Sequence, residues 1–414
     1  MKLRVTMDWP ACPRLVGELD VFTTRGTESY QFTYSDEWIA KGFQIDPTLD
    51  LVPGFAHHSQ ALPGVFEDIA PDRWGRMVQQ RVRSGFTSDI AYLLGVSDFM
   101  RMGALRLSDA SRPDVYLADN HNVPKLIHIR ELEEACGRLE NGLETEDDLR
   151  HLFGPGSSLG GARPKAGVQD GKTLCIAKFQ SNQDTERVAA WEATMLDLAQ
   201  KAGIPTARHR LLSKNAERPI LLLERFDRRE AERIPFASAM TLAGLRDGQD
   251  ASYGELAGVV ASLSSRSKMD SFDLWRRMVF NAMTGNTDDH LRNHAFLRDL
   301  QGWRLSPAYD LNPNNEPYTR RAHTLAFLPG ENKPSLELCQ AMAPYFNLDK
   351  KQVDHGLKAI GAALKSWKTI AKSNGLTDNE IQRKADAFEH EDGVRLVNGA
   401  QKQSRGMKSR GMKR

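Results

Sequence analysis

The sequence has few cysteines and no marked excess of either charge. Its four cysteines, Cys12, Cys136, Cys175 and Cys339, are scattered and form no Cys-x-x-Cys pair. This distribution excludes a zinc ribbon and a dense disulfide framework. Lys and Arg total 56 against 54 for Asp and Glu, so no global basic field indicates nucleic-acid binding. We therefore expect reduced, buried thiols in an ordinary globular protein.

Long apolar segments are also missing. No run of apolar residues reaches the length of a membrane span, and the first eight residues, Met1 to Asp8, lack the apolar core of a signal peptide. These absences predict a cytoplasmic protein with no membrane partner. The length of 414 residues and the hydrophobic content of 40% allow two or three domains with substantial cores.

One polar stretch, Asn286 to Asn293, carries the strongest chemical signal. Its sequence is Asn-Thr-Asp-Asp-His-Leu-Arg-Asn, and a further acid, Asp310, follows a short apolar segment. Protein kinases space their catalytic-loop Asp, metal-binding Asn and later metal-binding Asp in this way. We therefore predict that Asp288 is the catalytic base and that Asn293 and Asp310 bind Mg²⁺. The alternative is that these are ordinary turn and cap residues.

A second signal lies upstream, in a glycine- and serine-rich stretch over residues 153–168. It matches neither the Walker pattern nor the kinase Gly-x-Gly-x-x-Gly pattern, but its density of small residues allows backbone N–H groups to approach an anion, with Arg163 and Lys165 adding charge. A short apolar strand over 172–179 follows and contains Lys178 near its end. Loop, strand and Lys stand in the kinase order.

The next elements extend that order. Residues 186–202 have apolar residues at helical spacing, and Glu192 on this helix is the candidate partner of Lys178. The alternatives are that Lys178 faces water and that Glu192 is a solvated helix charge. A strand over 220–223 then leads into Glu224–Phe226, which occupies the place of the kinase linker that contacts adenine; a strand emerging into a charged loop is the alternative.

Flanking segments are predicted from local patterns. Residues 15–21 and 30–34 alternate as strands around a turn at Arg25-Gly26, and Asp270-Ser271 is expected to begin a helix that delivers the 286–293 stretch. The last residues, 401–414, repeat Ser-Arg-Gly-Met-Lys and contain no acid. This basic tail is predicted to be disordered in isolation.

Four segments together resemble the HipA family of bacterial serine/threonine kinase toxins. They are the loop Gly156–Lys165, the linker Glu224–Arg228, the stretch Asn286–Asn293 and the pair Tyr309-Asp310. The resemblance implies an α+β, two-lobed fold related to protein and lipid kinases. It divides the chain into a β-rich N-terminal subdomain (1–108), a nucleotide lobe (109–228), a mostly helical lobe (229–400) and the tail (401–414).

The resemblance also implies ATP and Mg²⁺ as ligands. It assigns nucleotide binding to a set of positions along the chain: Ser158, Gly160, Gly161, Ala162, Lys165, Lys178, Glu224, Phe226 and His290. Ser158, or its neighbour Ser157, is implied to be an autophosphorylation site that silences the kinase.

The implied partners are a helix-turn-helix, HipB-like antitoxin, operator DNA reached mainly through that antitoxin, and a protein substrate. In the family the best-known substrate is an aminoacyl-tRNA synthetase, whose phosphorylation slows growth and produces persistence. Two other functions stay open from the residues. One is a largely non-catalytic, ATP-binding corepressor acting with the antitoxin. The other is a metal-dependent hydrolase that uses Asp288, Asp289 and His290.

Overall fold

The computed structural model describes residues 1–82, 87–118, 123–153, 161 and 163–400. Among them the strands, β1 to β14 in chain order, are Lys2–Met7, Leu15–Thr24, Thr27–Tyr34, Ala56–Ser59, Leu105–Asp109, Lys165–Asp170, Thr173–Lys178, His209–Leu212, Ile220–Glu224, Arg228–Arg229, Glu232–Arg233, Phe236–Ser238, Ala295–Asp299 and Gly302–Leu305.

The α-helices of the same residues, α1 to α15, are Asp36–Lys41, Gly64–Glu67, Arg73–Val82, Asp89–Gly95, Ile129–Glu140, Glu146–Phe153, Val188–Lys201, Ala239–Leu242, Tyr253–Leu263, Ser267–Thr284, Leu336–Ala341, Lys350–Leu364, Trp367–Ser373, Asp378–Arg383 and Ala385–Phe388. Short 3-10 helices cover Leu126–His128, Leu291–Asn293, Tyr318–Arg320 and Ala343–Phe346. Residues 391–400 are also helical. With 40% helix, 21% strand and a β-rich N-terminal part, the predicted α+β class is confirmed.

The described chain forms two compact units, each built from separate segments. Unit 1 contains the described residues of 1–183 together with residues 223–247 and 295–301. Unit 2 contains residues 184–222 and 248–294 and the described residues from 302 onward. The fourfold division at residues 108, 228 and 400 stays a prediction.

The N-terminal part of unit 1 is an antiparallel sheet of five strands in the order β4-β3-β2-β1-β5. The predicted turn is confirmed, because Arg25 and Gly26 join β2 to β3 with φ of 54° and 80°. Positive φ at both central residues lets a two-residue turn follow the strand twist. Trp38, Phe32 and Phe66 are fully buried beside this sheet, so the part has its own core.

A second antiparallel pair of unit 1 follows the glycine-rich stretch. Strands β6 and β7 pair from Lys165 opposite Lys178 to Asp170 opposite Thr173. Val168 and Ala177 on them are completely buried. The predicted strand that carries Lys178 is therefore confirmed, and Lys178 is its last residue.

Unit 2 is mostly helical and is centred on α10, an 18-residue helix. Its Leu274, Trp275 and Met278 are completely buried, as their helical spacing predicts. The helix begins at Ser267, not at Asp270 as predicted. Asp270 lies inside the first turn, where its Oδ2 accepts hydrogen bonds from Ser264 Oγ at 2.6 Å and Leu305 N at 2.7 Å.

In the described part of the chain, no helix combines the length and apolarity that a membrane crossing requires.

Candidate functional site

The 286–293 stretch begins where α10 ends. Gly285 closes the helix in the left-handed conformation, with φ of 68°, and its N–H donates to Asn281 O. A Cβ at this position would lie 3.0 Å from Arg321 Cζ and 3.3 Å from Asn314 O, so both backbone and space require glycine here. The rigid helix thus delivers the loop at a fixed point.

The two adjacent acids of the loop differ in exposure. Asp288 is exposed, whereas Asp289 is buried with 1% of its surface accessible. Main-chain hydrogen bonds hold the loop on both sides of Asp288. Thr324 N donates to Thr287 O at 3.0 Å, and Leu325 N donates to Asp289 O at 2.8 Å. Asp288 is therefore the acid that an external reactant can meet.

Asp289 is held by three side chains in the interior of unit 2. Its Oδ2 accepts hydrogen bonds from Tyr253 Oη and from Asn281 Nδ2, the latter at 2.9 Å. His294 Nε2 lies 3.0 Å from its Oδ1. Burial alone would raise the pKa of Asp289, but His294 and the hydrogen bonds from Tyr253 and Asn281 lower this pKa to about 2. The hydrolase alternative is weakened, since Asp289 faces inward and Asp288 does not.

Asn293 lies in the short 3-10 helix that follows the loop. Its Nδ2 donates to Asp288 O at 2.9 Å, and its N–H donates to His290 O at 2.8 Å. With the amide nitrogen used as a donor, the amide oxygen is the atom suited to a cation. The structure therefore joins Asn293 directly to the residue predicted to be the base.

Asp310 is connected to the same loop through its chain neighbours. Tyr309 Oη donates to Arg292 O at 2.6 Å, and Asn312 N donates to Asn286 Oδ1 at 3.2 Å. Asp310 itself has φ of 56°, an uncommon conformation for a residue with a side chain that often marks functional sites. Residues on both sides of Asp310 thus bond to the loop that contains Asp288 and Asn293.

The donor set fits a hard cation that also carries other ligands. Among the described residues no group of three or more His, Cys, Asp or Glu is arranged to hold a metal. Asn293 and Asp310 would supply two oxygen ligands, and Mg²⁺ in kinases completes its octahedron with water and phosphate oxygens. The assignment of Asn293 and Asp310 to Mg²⁺, and of half-buried His290 to nucleotide binding, stays a prediction.

Lys165, a predicted phosphate ligand, is engaged inside unit 1. Its Nζ lies 2.7 Å from Asp72 Oδ2, and the two side chains are only 3% and 6% exposed. Asp72 also accepts from Gly75 N at 2.7 Å at the start of α3. Trp74 Nε1 donates to Lys165 O at 3.0 Å, and Trp74 N donates to Gly161 O at 3.4 Å. The end of the glycine-rich stretch is therefore fixed by the segment 72–75, a role that the sequence did not reveal.

Lys178 and its predicted partner Glu192 belong to different units. Lys178 belongs to unit 1, while Glu192 lies on α7 in unit 2 and is 3% exposed. This burial excludes the alternative that Glu192 is a solvated helix charge. The pairing of Lys178 with Glu192 stays a prediction.

The linker Glu224–Phe226 leaves β9 in an ordered way. Arg225 N donates to Leu174 O at 3.0 Å, Glu224 is exposed, and the ring of Phe226 stacks 6.5 Å from that of Phe236. The buried Arg225 guanidinium bonds Asp227 at 2.6 and 2.8 Å. Burial favours a raised pKa for Asp227, but its arginine partners hold the pKa well below its usual range. The linker backbone is thus held in place, and its contact with adenine stays a prediction.

Several predicted residues lie outside the described part of the chain. These are Ser157, Ser158, Gly160 and Ala162, together with the basic tail 401–414. Their assigned roles in nucleotide binding, autophosphorylation and disorder stay predictions. Gly161 is described and has φ of 98°.

Two family models match the sequence over most of its length. The HipA N-terminal domain matches residues 13–108, and the HipA-like C-terminal domain matches residues 157–380. The chain belongs to the HipA family. The resemblance read from the loop, linker and 286–293 motifs is confirmed.

One solved structure in particular agrees with the HipA fold. The HipA chain of the Shewanella oneidensis toxin–antitoxin complex with HipB and operator DNA superposes with a TM-score of 0.68, at 17% identity, over 97% of each chain. The Helicobacter pylori proinflammatory kinase CtkA has a TM-score of 0.42 at 14% identity, covering 58% of this chain and 88% of that one.

A curated relative shares part of the sequence. The protein named "Putative kinase Y4mE" from Sinorhizobium fredii is 29% identical over 152 residues, which are 33% of each chain. The chain therefore spans about a third of that relative's length.

Proposed function

We propose that this HipA-family chain is an ATP- and Mg²⁺-dependent serine/threonine protein kinase and the toxin of a toxin–antitoxin module. The observation that carries the proposal is the hydrogen bond of 2.9 Å from the Asn293 amide to Asp288 O, in the loop to which residues on both sides of Asp310 also bond. The relative named "Putative kinase Y4mE" supports kinase activity in general. We propose in addition that the phosphate acceptor is a serine or threonine hydroxyl.

In this mechanism the exposed carboxylate of Asp288 accepts the proton of the substrate hydroxyl as that oxygen attacks the γ-phosphorus of ATP, and the bond from this phosphorus to the β,γ-bridging oxygen breaks to release ADP. Such a positioned base typically contributes about 10² to 10⁴ in rate. Asn293 and Asp310 would hold Mg²⁺, which neutralises phosphate charge when bound. Lys178 would bind nucleotide phosphates, and the backbone of Glu224–Phe226 would orient the adenine.

We also propose the partners of the family for this chain. The Shewanella complex contains HipB and operator DNA, which supports a HipB-like antitoxin here and DNA binding through it. The protein substrate proposed is a translation component such as an aminoacyl-tRNA synthetase. Autophosphorylation is proposed at Ser158 or Ser157.

The test is mass spectrometry of the purified chain after incubation with ATP and Mg²⁺, wild type beside Asp288→Ala. Phosphate on Ser158 or Ser157 in wild type alone would support an active, self-modifying kinase. Phosphate in both proteins would reject Asp288 as the base. Absence of phosphate from both, with ATP bound, would favour the corepressor instead.

A further inference from the structure

Unit 2 contains a buried polar cluster whose members have no role in the proposed chemistry. It consists of Tyr253 on α9, Asn281 on α10, Asp289 in the loop and His294 just after it. Each of the four is buried. A carboxylate in the interior is costly unless hydrogen bonds satisfy it. Asp289 therefore needs the donors that surround it.

The cluster is centred on Asp289, whose carboxylate joins three separate chain segments. Its Oδ2 accepts hydrogen bonds from the hydroxyl of Tyr253 and from the amide of Asn281, and its Oδ1 lies 3.0 Å from His294 Nε2. Tyr253 and Asn281 also bond each other, since Asn281 Nδ2 lies 3.1 Å from Tyr253 Oη. Two helices and the far end of the loop are thereby tied to one residue.

The position of this carboxylate gives the contacts a functional consequence. Asp289 directly follows Asp288, and Asp288 is exposed while Asp289 is buried. His294 directly follows Asn293, whose amide donates to Asp288 O. Asp289 and His294 therefore each have, as a chain neighbour, a residue proposed to take part in phosphoryl transfer.

We infer that Asp289 is a positioning residue, which with Tyr253, Asn281 and His294 fixes the loop so that Asp288 points outward beside Asn293. This inference rests on the proposed kinase function. Asp289 never contacts the reactants and acts through the backbone that it shares with Asp288. A displacement of about 1 Å at a reacting group can cost on the order of 10² in rate, so loss of the anchor should lower the rate at saturating ATP.

The experiment measures incorporation of radiolabelled γ-phosphate into the full-length chain at varied ATP and saturating Mg²⁺. Wild type is compared with Asp289→Asn, Tyr253→Phe and Asp288→Ala. The matched control is Asp392→Asn. Asp392 is another buried Asp of unit 2 that accepts a tyrosine hydroxyl, from Tyr318 at 2.7 Å, and a backbone N–H, from Leu336 at 2.8 Å.

We expect Asp289→Asn to lower the maximal rate by roughly 10- to 100-fold with the ATP concentration for half-maximal rate unchanged within about twofold. Tyr253→Phe should act in the same direction with a smaller effect. Asp392→Asn should lower the melting temperature but leave the maximal rate unchanged. This split separates positioning of Asp288 from general loss of structure, because a merely destabilised protein would lose rate in the control as well.

A wild-type maximal rate in Asp289→Asn, or an equal loss of rate in Asp392→Asn, would overturn the inference. If Asp289→Asn does not fold, Tyr253→Phe decides, and a wild-type rate in that variant overturns the inference. Failure of the kinase proposal would look different, because wild type would then show no incorporation, or Asp288→Ala would match it.

Discussion

The side-chain amide of Asn293 donates a hydrogen bond of 2.9 Å to the main-chain oxygen of Asp288. One contact therefore connects the proposed metal ligand with the proposed base. Because the bond uses the amide nitrogen, it leaves the amide oxygen available as a ligand for a cation. The spacing of four intervening residues, recognised in the sequence, corresponds to a direct interaction in the structure.

Replacement of this amide should weaken metal use. We expect Asn293→Ala to raise the Mg²⁺ concentration needed for half-maximal phosphoryl transfer by about 10- to 100-fold, since ligands and their supporting bonds typically contribute that much to metal affinity. Asn315→Ala is the control, because Asn315 bonds Glu186 in the same unit and is exposed. An unchanged Mg²⁺ dependence in Asn293→Ala would contradict the assignment.

The buried pair of Lys165 and Asp72 should matter for stability. Asp72→Asn breaks the buried ion pair of Asp72 with Lys165, and breaking such a pair typically costs about 3 to 5 kcal/mol. The double variant with Lys165→Met should recover part of this loss, because it also removes the buried positive charge. Thermal unfolding of the single and double variants measures the effect.

An exposed ion pair gives the comparison for that experiment. Glu146→Gln breaks the contact of Glu146 with Arg150, whose side chains are 90% and 71% exposed, and should leave unfolding unchanged. Equal behaviour of Asp72→Asn and Glu146→Gln would show that Lys165 is not held by Asp72.

Replacement of Gly285, where α10 ends, should cost more stability than its positive φ alone would explain. Gly285 and Gly142 both have φ of 68°. A Cβ at Gly142 would meet nothing within 4 Å, whereas at Gly285 it would lie 3.0 Å from Arg321 Cζ. Gly142→Ala should cost about 1 kcal/mol of backbone strain, and Gly285→Ala should cost more.

The same two variants should differ in activity. Gly285→Ala should slow phosphoryl transfer, because the 286–293 loop starts at that residue, and Gly142→Ala should not. Unfolding curves and transfer rates for both variants provide the measurement. Equal effects on rate would argue against α10 as the element that positions the loop.

Acid should destabilise unit 2 through a second ion pair. Hydrogen bonds from Arg187, at 2.5 and 2.8 Å, are the largest cause that lowers the pKa of Glu380, to about 2. Its pKa in the unfolded chain is about 4.3. The native state therefore gains stability above about pH 4.3, and this gain is lost as the pH falls toward about 2.

Glu380→Gln removes that titration and should flatten the dependence of unfolding on pH between about 4 and 2. Chemical denaturation of wild type and variant across this range measures the difference. An equally steep dependence in both proteins would mean that Glu380 is not responsible.

Local patterns were sufficient for some elements of the fold. The turn at Arg25-Gly26 and the strand ending at Lys178 were predicted because each depends on neighbouring residues. The predicted start of α10 was wrong because a tertiary contact uses the side chain of Asp270. Asp270 looked like a helix cap, yet its carboxylate binds Leu305 N, 35 residues away. Such a contact leaves no periodic signal in the sequence.

The candidate site likewise divides into residues that local spacing predicts and contacts that it does not. Asp288, Asn293 and Asp310 were predicted from spacing, because kinase chemistry requires those residue types in that order, and their roles stay predictions. The positioning role inferred for Asp289 could not be predicted, because Asp288 and Asp289 are the same residue type and only burial distinguishes them. The contact of Asp72 with Lys165 joins residues 93 positions apart, and nothing local to either residue predicts it.

The role of Asp288 as the base is measured by the rate at which Asp288→Asn transfers radiolabelled γ-phosphate from ATP to protein, beside wild type at saturating Mg²⁺. We predict a fall of about 10² to 10⁴ in rate, with ATP affinity and melting temperature preserved, because Asp288 is exposed and the substitution keeps its shape. A wild-type rate in Asp288→Asn would contradict the account.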